Sequence, residues 1–217
     1  MRIAYIVSTC GPYESTRMVW QKQSVFSNVN PADVYYLGNR TDNDKNMLSW
    51  GAADDYHSLP YKLLHFFQHS TLDYDWYFIM DDDTYVLTDR FQHHVDQIPI
   101  QPRETIYTEG HILTHLEQTE IGIYYSGGAG TLLSAHTYDT IKCNLIQCSD
   151  NYILPHWCAD ICLGYWLRMI PSHEFRHVAH YHPLTYDKEK DDASHALTFH
   201  YVNKQELFSE YDAFFSS

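Results

Sequence analysis

Basic residues are scarce in this chain: its 217 residues carry 14 Lys and Arg against 28 Asp and Glu, a formal charge of -14. That balance excludes binding to nucleic-acid phosphates or an anionic membrane by bulk attraction, so an anionic ligand must be held locally, most simply through a metal. Cysteine is sparse too. Cys10, Cys143, Cys148, Cys158 and Cys162 are odd in number and contain no C-x-x-C pair. They fit reduced thiols better than a disulfide framework, with a Cys143 to Cys148 bridge as the pairing left open. No segment reaches the roughly 18 apolar residues of a membrane span, and the run Ile3 to Ser8 is broken too soon by Thr9, Cys10, Gly11 and Pro12 to be a signal peptide. There are no repeats, no low-complexity linker and no domain boundary, so one domain over 1–217 is expected.

Hydrophobic residues make up 44% and aromatics 16%, with 19 tyrosines, which excludes disorder. The tyrosines suit a stacking, hydrogen-bonding pocket and equally an ordinary core and rim. Trp76-Tyr77-Phe78-Ile79-Met80 reads as a strand buried on both faces, of the kind found in parallel sheets. Asp81-Asp82-Asp83 follows at once. At a period of two, Asp81 and Asp83 share one side of the extended chain and Asp82 faces the other. Adjacent acids at the end of a buried strand repel one another, and ligands of open α/β sheets bind at the carboxyl ends of strands, which points to a cation site. The plainer reading is a solvated acidic turn.

Around this stretch the pattern is strand Ile3 to Ser8, helix from about Ser15 to Asn28, strand Asp33 to Gly38, a polar surface loop Asn39 to Asp55, and a helix from the N-cap Ser58 to about Ser70. The first helix carries Met18, Val19, Lys22, Val25 and Phe26 on one face. This alternation predicts an α/β fold with a Rossmann-like, mostly parallel sheet flanked by helices. Next come a helix Thr88 to Val95, short strands Ile106 to Thr108, Ile121 to Tyr125 and Thr131 to Ser134, and helices Ala135 to Gln147 and Ala159 to Met169. A last strand Leu197 to Val202 and a terminal helix from Lys204 complete the chain.

Three further stretches can carry chemistry. Ser126-Gly127-Gly128-Ala129-Gly130 lets backbone approach a ligand closely, although it matches neither G-x-G-x-x-G nor a Walker loop and serves equally as a tight turn. Asp160, in the first turn of an apolar helix, is either a dipole-stabilised acid or a positioned general base. His200 in Phe199-His200-Tyr201-Val202 is either a core histidine or a ligand. His177, His180 and His182 match no zinc spacing and read as a partly exposed segment.

Taken in order, Asp81-Asp82-Asp83-Thr84-Tyr85-Val86, Ser126 to Gly130, Asp160 with Leu163-Gly164-Tyr165, and Phe199-His200-Tyr201-Val202 resemble the Fringe, β-1,3-galactosyltransferase and core 1 galactosyltransferase family. Thr16-Arg17 with Trp20, and Asp54, Tyr56, Leu59 and Lys62 in a D-x-Y-x-x-L-x-x-K pattern, are weaker matches. The resemblance implies a GT-A glycosyltransferase that inverts the anomeric centre and moves a hexose-type sugar from a UDP-sugar to a hydroxyl of a glycan or glycoconjugate, with Mn2+ or Mg2+. It implies Asp83 as a direct metal ligand, Asp81 and Asp82 assisting, and His200 as the other ligand. Asp160 is then the catalytic base. Donor contacts fall to Asp82, Ser8, Arg17, Asp54, Lys62, Gly127, Gly128 and Ala129. The nucleotide part would be about 1–100 and the acceptor and catalytic part about 101–217. A metal-dependent phosphoester or nucleotide-sugar hydrolase and a non-catalytic sugar-nucleotide-binding module are the alternatives.

Members of that family are typically luminal, with an N-terminal anchor, a stem and paired cysteines. Here the chain begins on its first strand, and Cys162 lies two residues after Asp160 rather than one. These departures point to a soluble enzyme in the cytoplasm of a microbe or virus-infected cell rather than the Golgi lumen, or to one domain of a longer protein.

Overall fold

A computed structural model of the chain describes residues 1–114, 122–147, 154, 156–187 and 193–215. In chain order the elements are β1 (Ile3–Ser8), α1 (Arg17–Gln23), β2 (Val34–Leu37), β3 (Met47–Leu48), α2 (Leu59–His69), β4 (Trp76–Asp81), β5 (Tyr85–Val86) and α3 (Thr88–Gln97). There follow β6 (Thr108–Gly110), β7 (Ile112–Thr114), β8 (Ile123–Tyr125), β9 (Thr131–Ser134), α4 (Ala135–Gln147) and α5 (Ala159–Arg168). The chain closes with β10 (Arg176–His177), β11 (Tyr181–His182), β12 (Thr198–Phe199) and α6 (Gln205–Phe215).

Seven strands form one sheet in the order β10-β6-β9-β4-β1-β2-β3, parallel except where β9 runs antiparallel to β4 and β6. Alternation along the two central strands explains why both are apolar throughout. Ile3, Tyr5, Val7, Trp76, Phe78 and Met80 join one core with Phe91 of α3 and Phe208 of α6. Ala4, Ile6, Tyr77 and Ile79 join the other, with α2, α4 and α5. Tyr77 stacks on Tyr138 with centroids 4.0 Å apart. Each such ring, fully buried, stabilises the fold by about 1.5–3 kcal/mol.

From β1 the chain moves outward to β2 and β3, then returns to the opposite side of β1 as β4. The carboxyl ends of β1 and β4, where Ser8 pairs with Asp81, therefore flank a topological switch point, the place where such sheets leave a crevice for a ligand. A three-stranded sheet, β11-β12-β5, carries the chain after Asp83 back beside this crevice.

Several elements differ from expectation. The first helix covers only Arg17–Gln23: Ser24 leaves helical geometry and its hydroxyl donates to Asp212 at 2.6 Å. Val25 and Phe26 reach the core from the following turn, while Val19 is 37% exposed. The polar loop 39–55 holds β3, whose Met47 is fully buried and sits where Gly38 would otherwise carry a Cβ, 2.5 Å from Met47 Sδ. Ser58 makes no side-chain cap on α2; Asp55 Oδ1 instead accepts from Ser58 N–H at 2.9 Å, holding a tight turn before the helix. The strand expected at Ile106 to Thr108 lies two residues later, in register with β9. The last strand ends at Phe199 because Tyr201 takes φ +60°. Cys143 is a free thiol, and Cys148 lies outside the described residues.

Candidate active site

The crevice at the β1–β4 switch point is lined by titratable side chains from three parts of the chain: the Asp81–Asp83 turn, Asp160 and His200. After Asp81 the backbone turns: Thr84 N–H donates to Asp81 O at 3.2 Å, and Thr84 Oγ1 lies 3.2 Å from Asp81 N and donates to Gly128 O at 2.8 Å. This turn, rather than a continued strand, sets where the three carboxylates point. Asp82 points back to the β1 end, accepting from Thr9 Oγ1 at 2.8 Å and from Arg17 at 2.9 Å. Asp81 and Asp83 meet His200, and one ligand atom from each lies within 4.8 Å of the others. His200 Nε2 is 3.3 Å from Asp83 Oδ1, while its Nδ1 faces Pro183 O at 3.3 Å, which fixes the ring's orientation.

The position of His200 depends on two backbone features. Val202 N–H donates to Asp83 O at 2.9 Å, tying the segment after β12 to the acidic turn. Tyr201, in the left-handed region at φ +60°, stacks on His200 with centroids 3.7 Å apart. A bulky residue in that region is strained, and such strain concentrates at functional sites.

The electrostatics follow from burying acids together. Burial and the neighbouring Asp83 hold the Asp81 carboxyl above the usual carboxylate range. Burial pushes Asp82 up to about 6 against the opposing pull of Arg17 and Thr9. Burial opposes charge on His200, but its contact with Asp83 outweighs it and raises its pKa. Arg17, 3.4 Å from Asp83 as well, offsets part of the negative charge. Two carboxylates and an imidazole converging with room beside them fit a hard or borderline divalent ion such as Mn2+ or Mg2+; they lack the thiolates of a structural zinc site.

Asp160 reaches the same crevice from the first turn of α5. Together with Ser8, Asp81, Gly127, Tyr56 and Trp157 it lines a cavity of about 60 Å³. Ile161 N–H donates to its Oδ1 at 2.8 Å and Gly127 N–H to its Oδ2 at 3.3 Å. Burial raises its pKa above the ordinary value, making it a stronger base than a surface carboxylate.

Among the other expected donor contacts, Gly127 packs on Asp160 and Gly128 on His200, where a Cβ would overlap the imidazole. Ala129 is fully buried and its carbonyl accepts from Thr198 Oγ1 at 2.6 Å. Lys62 and Asp54 pair with each other at 3.2 Å and not with the acidic turn; Lys62 also donates to Thr9 O at 2.8 Å, and Asp54 accepts from Gly11 N–H at 2.8 Å. Together they shape the loop after β1.

Gln21 escaped notice in the sequence. It is fully buried on α1, and its Nε2 donates to Asp81 O at 3.1 Å and Thr84 O at 3.0 Å, clamping both ends of the acidic turn. The available signal was an amide among the apolar positions Met18, Val25 and Phe26. Gln21→Leu removes the side-chain donor from Thr84 O and leaves Asp81 O with Thr84 N–H alone, and is expected to cost roughly 1–3 kcal/mol, read as a lower urea midpoint at unchanged m-value.

No protein-family model and no curated protein matches the sequence. The fold is that of GT-A glycosyltransferases. The chain aligns over 98% of its length, and 100% of the other chain, with a glycosyltransferase involved in the glycosylation of the major capsid of PBCV-1, at 14% identity and a TM-score of 0.57. With the glycosyltransferase GlyE of Streptococcus pneumoniae TIGR4 the identity is 14% and the TM-score 0.55, covering 98% of this chain and 61% of that one. With the galactosyltransferase LgtC, solved in complex with donor and acceptor sugar analogs, the values are 12% and 0.51, over 100% and 97% of the two chains. Among the described residues no helix is long and apolar enough to cross a membrane.

Proposed function

We propose that this protein is an inverting, metal-dependent glycosyltransferase of the Fringe and β-1,3-galactosyltransferase type, moving a hexose from a UDP-sugar to a hydroxyl of a glycan or glycoconjugate. The observation that carries the reading is the convergence of Asp81, Asp83 and His200 at the switch point of a glycosyltransferase fold, with Asp160 lining the same cavity as Asp81. Residues 1–100 supply most of the donor side and residues 101–217 the base and the acceptor side.

Asp81, Asp83 and His200 would hold the cation, which when bound neutralises the diphosphate of the donor. Arg17 and Thr9 keep Asp82 oriented beside it, and the Gly127–Gly128 backbone leaves room for the donor sugar. Asp160 takes the proton of the acceptor hydroxyl as its oxygen attacks the anomeric carbon. One C–O bond forms, the bond from that carbon to the phosphate oxygen breaks, and the electron pair leaves with UDP. Hydrogen bonds from Gly127 and Ile161 fix which carboxylate lone pair faces the acceptor. Among the described residues only one set of three metal-ligating side chains converges, which disfavours a two-metal hydrolase.

Calorimetric titration of UDP and a panel of UDP-sugars, with Mn2+ and with chelator, tests the donor side. Metal-dependent binding to the unmodified chain is expected, reduced at least about tenfold in Asp83→Ala, a cost of about 1.4 kcal/mol or more. Equal binding with and without the ion would exclude the metal-bridged donor.

A further inference from the structure

The rim of the Asp160 cavity carries a group of rings that the hydrophobic core does not use. Tyr56, just before α2, is 62% exposed, and Trp157, just before α5, is 52% exposed. Single exposed aromatics are commonplace, but these lie together. The Tyr56 and Trp157 centroids are 5.8 Å apart, His57 is 5.8 Å from Trp157, and His156 stacks on Trp157 at 5.3 Å and 28°.

The cluster is anchored. Cys158 N–H donates to His156 Nδ1 at 3.0 Å and the Cys162 thiol donates to His156 O at 3.0 Å, so the ring behind Trp157 is tied to the first turn of α5, the turn that carries Asp160. The Tyr56 and Trp157 rings, tilted 56° to each other, therefore form an apolar cleft on the wall of the cavity that Asp160 also lines. Its surroundings are acidic, because the Asp160 carboxylate lines the same cavity as both rings. An anionic occupant would be repelled. An occupant with one apolar face, a polar edge and no charge is favoured, and a pyranose ring has that form, with C–H groups on a face and hydroxyls around the edge. Its polarised C–H groups meet the negative face of an aromatic ring.

We infer that Tyr56 and Trp157 form the acceptor subsite, stacking a neutral pyranose so that one of its hydroxyls faces Asp160. The inference rests on the glycosyl-transfer reading and names the acceptor as a neutral sugar rather than an anionic sugar, a lipid chain or a peptide.

The test titrates methyl glycosides of neutral hexoses and a methyl glucuronide into the unmodified chain with UDP and Mn2+ present. Saturation-transfer NMR and tryptophan fluorescence report binding, on Trp157→Ala, Trp157→Phe and Tyr56→Ala in parallel. At least one neutral glycoside should bind, weakened about tenfold in Trp157→Ala and largely retained in Trp157→Phe. UDP affinity, measured on the same samples, should stay at the unmodified value, which also shows that the variants are folded. Glycoside affinity unchanged in Trp157→Ala, preference for the glucuronide, or no glycoside bound while UDP binds would each overturn the subsite. UDP failing to bind the unmodified chain would overturn the donor reading instead, and glycoside binding lost in Trp157→Ala would then still place a sugar on these rings.

Discussion

Asp160→Asn should lower sugar transfer by about 10²–10⁴-fold while leaving metal-dependent UDP affinity almost unchanged. Asparagine keeps the shape, and its one carbonyl oxygen can still accept from Ile161 N–H while the longer bond from Gly127 N–H is given up, but it cannot take a proton. The loss should fall on kcat, because the interaction removed acts only as the acceptor hydroxyl is deprotonated. The same assignment fixes the pH dependence. Burial raises the folded pKa of Asp160 above the ordinary value of about 3.9, so the working, ionised form is depleted as pH falls through a higher range than for a surface aspartate. Transfer should therefore rise with pH to a plateau, and the limb should vanish from the residual activity of Asp160→Asn. Full activity in that variant, or a limb that persists in it, would remove the general-base role.

Much of this arrangement is legible in the chain because it follows local periodicities. The strand Ile3–Ser8, the strand Thr131–Ser134 and the helix Ala135–Gln147 stand at the expected bounds, and Asp81 and Asp83 do come together, although through a turn after the strand rather than along an extended chain. What the sequence hid depends on long-range packing. Met47 forms a strand inside a polar loop only because β2 offers an open edge and Gly38 leaves it space. The expected strand over Leu197 to Val202 stops at Phe199, since Val202 N–H is drawn to Asp83 O and Tyr201 must turn to allow it. No propensity encodes that. Gln21 and Thr9 were invisible for the same reason: their partners lie 60 or more residues away.

The two neighbouring glycines should separate the two halves of the reaction. At Gly128 a Cβ would fall on the His200 imidazole, a ring held on its other side by Pro183 O and by the stacked Tyr201. The overlap falls on the ring edge that carries Nε2, so relieving it by moving the ring disturbs the contact with Asp83. Gly128→Ala is therefore expected to reduce metal-dependent UDP binding as severely as Asp83→Ala, by at least about tenfold, with an overpacking cost of about 1–3 kcal/mol in urea denaturation. Gly127 meets a different neighbour. Its Cβ would lie 3.2 Å from Asp160 Cβ, tight contact with the base and none with His200. Gly127→Ala should keep metal-dependent UDP binding and slow transfer less severely than Asp160→Asn, since a 3.2 Å contact shifts the base by only a few tenths of an ångström and the rate depends steeply on its position. Opposite phenotypes one residue apart would tie the ion to Asp81, Asp83 and His200 and the proton to Asp160. If instead Gly128→Ala retained full metal-dependent binding, the assignment of His200 as a ligand would fall, because the new methyl group lands on the ring that now lies 3.3 Å from Asp83.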